Sequence, residues 1–82
     1  MSNAPKRLIQ DILQALEFHG PLTNKQIAEK VNMRGYNVSE QDVANAIHPY
    51  YNGDFISIVK KAKLGDETGW KVSTIGTWRT LP

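Results

Sequence analysis

Leu22-Thr23-Asn24-Lys25-Gln26-Ile27 and Val38-Ser39-Glu40-Gln41-Asp42-Val43, sixteen residues apart, carry the same device twice. In each, a hydroxyl side chain (Thr23, Ser39) can accept from the backbone N–H three residues on, where Gln26, or the weaker partner Asp42, can bond back to the cap. The apolar residue before each cap can staple onto the one that follows, Leu22 onto Ile27 and Val38 onto Val43. The pattern predicts two capped helices in succession. The first has a short apolar face of Ile27, Ala28 and Val31 and should end near Asn32. Met33-Arg34-Gly35-Tyr36-Asn37 then reads as a connecting turn, with Gly35 or Asn37 able to take a positive φ.

Upstream, Leu8, Ile9, Ile12, Leu13 and Leu16 form the apolar stripe of a further helix over residues 5–18, stopped by Gly20-Pro21. His19 falls near its C-terminus and is read as structural. Downstream, Pro49 removes a bond to the carbonyl of Asn45 and predicts that the last helix stops or kinks there, leaving Tyr50 and Tyr51 in a less regular turn. Asn52-Gly53-Asp54 then reverses the chain. Phe55–Lys60 and Trp70–Ile75 are rich in β-branched and aromatic residues, and Gly65-Asp66-Glu67-Thr68-Gly69 supplies a turn between them, so a β-hairpin is expected. Trp78 and Leu81 can fold back on the domain.

Plotted at 100° per residue, Gln41, Asn45 and His48 fall on one line of the last helix, with Val43, Ala46 and Ile47 opposite. The result is a dry back and an uncharged, hydrogen-bonding front. Asn and Gln can make paired bonds to an adenine edge, so the front suits a helix laid in a DNA groove. An ordinary solvent face is also polar. It is usually rich in Glu, Asp and Lys, however, and this stripe has none. It also lacks arginine, the commonest partner of guanine, so strong sequence specificity is not expected.

The chain has 82 residues, 40% of them hydrophobic and 22% charged, which fits one globular domain with a single small core. It has no cysteine, and its two histidines, His19 and His48, are too far apart in sequence for a local metal pair. No disulfide, metal or other cofactor is expected. The N-terminal run has no hydrophobic signal core and no apolar stretch approaches a membrane span, which predicts a cytoplasmic protein, nucleoid-associated if bacterial. Ser2-Asn3-Ala4 resembles a tag remnant, so residues 1–4 are read as a tail and 5–82 as one domain. The net charge of +2 divides into −1 over residues 1–54 and +3 over residues 55–82, placing the basic surplus in the hairpin third.

Two capped helices in succession are a helix-turn-helix signal. Three short helices followed by a basic hairpin resemble the winged-helix fold, an α+β arrangement, over nearly the whole chain. Within it, Gly20-Pro21-Leu22-Thr23, Ile27-Ala28, Tyr50-Tyr51, Gly53-Asp54-Phe55-Ile56 and Gly69-Trp70-Lys71-Val72 are similar to the HARE-HTH type, which includes the N-terminal domain of the bacterial RNA polymerase delta subunit. The resemblance implies a third helix in a major groove and a wing on the DNA backbone or minor groove. It implies equally a module that docks on RNA polymerase or a chromatin partner.

Two sets of residues carry the binding expectation. Gln41, Asn45 and His48 are the candidates for base edges. Lys25, Lys60, Lys61, Lys63 and Lys71 are the candidates for phosphates, although lysines also protect a solvated strand edge from aggregation. Asp66 and Glu67 at the hairpin tip disfavour contact there. Of the aromatics, Phe55 and Trp70 are assigned to the core, while Tyr36 and Tyr51 could equally stack on bases. Catalysis is not expected: there is no Gly-rich phosphate loop, GxSxG elbow or CxxC, and Glu40 with Asp42 suits a helix N-terminus. The expected partner is double-stranded DNA, bound weakly and with salt dependence by a monomer or weak homodimer. RNA polymerase or another protein is the alternative.

Overall fold

The first helical stripe becomes α1, Pro5–His19, in a computed structural model that describes residues 5–52 and 59–73. Leu8, Ile9, Ile12, Leu13, Ala15 and Leu16 are all buried. Gly20 ends the helix with φ +86°, and its N–H donates to Leu16 O at 2.9 Å, a turn that only glycine makes without strain.

α2, Asn24–Asn32, and α3, Glu40–Asn52, begin with the two predicted capping boxes. Gln26 N donates to Thr23 Oγ1 (3.2 Å) while Thr23 N donates to Gln26 Oε1 (2.9 Å). Asp42 N donates to Ser39 Oγ (3.1 Å), and Ser39 N donates to Asp42 Oδ2 (2.9 Å). Ile27 and Val31 from α2 meet Val43 and Ile47 from α3 in the core, all four fully buried.

The turn between them is held by Asn32. Its Nδ2 donates to Val38 O (3.0 Å) and its Oδ1 accepts from Val38 N (2.9 Å), a two-way clamp that sets where α3 begins. Gly35, at φ +106°, closes the turn by donating to Asn32 O. Asn32→Ala should lower the unfolding free energy by about 2 kcal/mol, roughly 1 kcal/mol for each partly buried bond. A urea titration checks this, and an unchanged midpoint would mean that the clamp adds nothing.

α3 corrects one expectation. It does not stop at Pro49 but continues to Asn52, so Tyr50 and Tyr51 are helical. Pro49 and Asn45 both lie on the exposed side, so water can serve the carbonyl that the proline leaves without a donor. The buried side, with Val43, Ile47 and half-buried Tyr50, keeps its packing.

The hairpin is also set differently. β1 is Val59–Leu64 and β2 is Glu67–Val72, antiparallel, with Lys61 opposite Trp70 and Leu64 opposite Glu67. The turn is therefore Gly65-Asp66 alone, with Gly65 at φ +66°, and not the five residues 65–69. Two-residue hairpin loops require a positive φ at their first position, which Gly65 supplies, and cross-strand pairing draws Lys61–Leu64 into a strand despite their modest β-propensity. The expected strand segments 55–58 and 74–75, the tail over residues 1–4, and Phe55, Trp78 and Leu81 lie outside the described residues.

Leu22 bridges to the far edge of β2: Leu22 N donates to Trp70 O (3.1 Å) and Trp70 N to Leu22 O (2.8 Å). Trp70 Nε1 also donates to Asn24 Oδ1 at 2.7 Å. The hairpin is thus fastened to the entry of α2. Three short helices followed by a two-stranded antiparallel hairpin make up the winged-helix arrangement.

Candidate nucleic-acid interface

The line predicted on α3 is exposed along its length, with Gln41, Asn45 and His48 facing away from buried Val43 and Ile47. Gln41 and Asn45 are joined, Gln41 Nε2 donating to Asn45 Oδ1 at 3.0 Å. Their i,i+4 spacing is the signal that could have revealed this bond in advance.

The predicted lysines divide between the two sides of the hairpin. Residues facing each other across strands share a side, and sides alternate along a strand. Val59, Lys61 and Lys63 therefore lie with Val72, Trp70 and Thr68, whereas Lys60, Ala62 and Leu64 lie with Lys71, Gly69 and Glu67. The first side carries buried Val59 and packs on the helices, and its lysines lie beyond the core toward the turn. Lys60 stands directly opposite Lys71 on the other side, a like-charge pairing that costs a few tenths of a kcal/mol or more.

Lys61 is the lysine that the fold brings to α3. Its Nζ lies 5.2 Å from the centroid of the Tyr51 ring, within cation–π range. The Tyr51 ring meets Trp70 edge to face at 5.2 Å and 67°. Tyr51 is three residues after His48, about 60° around the helix from it. The hairpin cation thus stands beside the C-terminal end of the uncharged front. Neither this contact nor the helical state of Tyr51 was legible in sequence, because Pro49 argued against both.

Lys25 is exposed and follows Asn24, the residue that accepts from the Trp70 indole. Arg34, by contrast, is engaged: its Nη1 donates to Asp11 Oδ1 (3.1 Å) and to Gln14 Oε1 (2.7 Å) on α1. Tyr36 donates from its hydroxyl to the other Asp11 oxygen at 2.6 Å, so this aromatic braces the turn on α1. Among the described residues, no group of three acidic, histidine or cysteine side chains could hold a metal ion.

Burial first, and then the hydrogen bond to Asp11, raise the Tyr36 hydroxyl above its ordinary pKa of about 10. The folded state therefore favours the neutral phenol. That contribution is fully present below about pH 10 and is lost as pH rises through the higher folded-state value. Tyr36→Phe should destabilise the domain at pH 7, by a margin that shrinks at pH 11. Urea unfolding at both pH values measures the margin, and an equal margin at both would contradict the assignment.

Phe18 and Met33, absent from the expected site, are each 81% exposed and are the two large hydrophobics left in solvent among the described residues. Phe18 falls off the α1 stripe and Met33 caps α2, and their positions could have marked both as outward-facing. Comparison with protein-family models, with curated proteins and with solved structures gives no match. What the chain shares with the winged-helix arrangement is its architecture.

Proposed function

We propose that this domain binds double-stranded DNA as a transcription-related module, with α3 along base edges in the major groove and hairpin lysines on phosphates. The observation that supports this most is the placement of Lys61, held by Tyr51 beside the uncharged stripe of Gln41, Asn45 and His48. Base edges are read by uncharged hydrogen-bonding groups, while affinity comes from cations on the backbone. One helix flank here supplies the first and its neighbouring strand the second. With Arg34 turned to Asp11 and a net charge of only +2, binding is weak and depends on salt through the few hairpin contacts to phosphate.

Titration of the labelled chain with a mixed-sequence duplex tests this, followed by amide chemical shifts at low and moderate salt. Amides around Asn45 and Lys61 should move together at low salt and less at moderate salt. Unmoved amides at low salt would refute DNA binding.

A second reading is favoured by one observation. Phe18 and Met33 are exposed at the ends of the first two helices, apolar side chains in solvent that suit docking on RNA polymerase or a chromatin protein. The HARE-HTH resemblance of the Gly20–Thr23 and Gly69–Val72 motifs is compatible with either.

A further inference from the structure

We infer that Asn45 is the base-reading residue of α3 and Gln41 its positioning residue, so that the two together recognise a single adenine. This rests on the DNA-binding reading above.

Taken as separate side chains, Gln41 and Asn45 would be two readers of two bases, since either can bond an adenine edge. The bond between them changes that count. Gln41 gives one N–H to Asn45 Oδ1. An amide oxygen has two lone pairs and an amide nitrogen two hydrogens, so Asn45 still offers one acceptor site and both donors. That remainder matches the major-groove edge of adenine, which donates from N6 and accepts at N7. Asn45 Oδ1 would accept from N6 while Asn45 Nδ2 donates to N7.

The bond also fixes orientation. The outer torsion of asparagine is broad and roughly two-fold, so a free exposed amide samples both faces. Gln41 holds the oxygen toward the start of α3, which turns the nitrogen of the same amide away from Gln41. A held amide loses less freedom on binding, and the shorter Asn45 side chain has less to lose than Gln41. Both residues are exposed and lie outside the hydrophobic core cluster.

Selection from a random-sequence duplex pool at low salt, with the whole chain, tests this. The native protein should enrich sites with one adenine position, preferred by about 5- to 150-fold, the discrimination a good bidentate contact commands. Gln41→Ala and Asn45→Ala should each weaken preference at that same position, and the double variant should lose no more than Asn45→Ala alone. Affinity for the unselected pool should stay within about twofold, because phosphate contacts carry it. Substituting 7-deaza-adenine at the selected position should weaken the native protein but not Asn45→Ala.

Loss of preference at two different positions, or an adenine preference that survives Gln41→Ala, would overturn the inference. Pool binding without any adenine preference would overturn it and leave the DNA reading standing. No binding of the pool at low salt would overturn both.

Discussion

Replacing Lys61 and Lys63 together by alanine should flatten the log–log salt dependence of duplex binding by about 2, the change expected for two lost phosphate contacts. The deficit should be largest at 50 mM salt and shrink by about tenfold at 200 mM, since fewer condensed counterions are then released on binding. Replacing Lys60 and Lys71 should have less than half that effect. Each pair removes the same charge from the same hairpin, so net charge alone would predict equal losses. The difference arises from the register: Lys61 and Lys63 share the side that meets Tyr51, while Lys60 and Lys71 share the opposite side. Salt-dependent anisotropy on one mixed-sequence duplex measures both pairs. Equal losses would show that the hairpin acts as diffuse charge, and a larger loss from Lys60 and Lys71 would put the opposite side on the DNA. Removing Lys60 or Lys71 also relieves the like-charge pairing, so these variants should be no less stable than the native chain.

The helices were legible because their signals are local. A capping box spans four residues, an apolar stripe repeats every three or four, and both survive folding unchanged at Thr23, Ser39 and along α1. What escaped the sequence depends on partners far along the chain. The strand bounds follow from which residues pair across the turn, and Lys61–Leu64 enter β1 through partners at Glu67–Trp70. The local cost of Pro49 predicts a break, yet the residues beyond it are held by contacts with Trp70 and the core. The uncharged stripe of Gln41, Asn45 and His48 was visible as a pattern. The i,i+4 bond that joins two of its members was open to the same local reading, whereas the lysine that stands beside it was not.

Gly69 is the residue whose reading changes most, and Gly69→Ala should cost about 3–5 kcal/mol, a large share of the stability of a domain this size. In sequence it belongs to a turn. In the fold it is a buried position in β2, where a Cβ would lie 2.5 Å from Leu22 O, 2.8 Å from Leu22 C and 2.6 Å from Leu64 Cδ1. Leu64 can swing aside, but the Leu22 backbone cannot retreat without breaking its bridge to Trp70. Two backbone hydrogen bonds would go with the bridge, and the Trp70 indole would be drawn from Asn24. The hairpin would then be tied to the helices through Val59, Val72 and the Tyr51 contacts. Denaturant unfolding should show the loss, and hydrogen exchange should show where it falls, with the Leu22 and Trp70 amides losing protection before those of α1. A loss below about 1 kcal/mol, with both amides still protected, would mean that the close approach of Leu22 to β2 is not what holds the wing. Placing the hairpin lysines beside α3 depends on that approach, so Gly69→Ala should also weaken duplex binding under conditions where the helices remain folded.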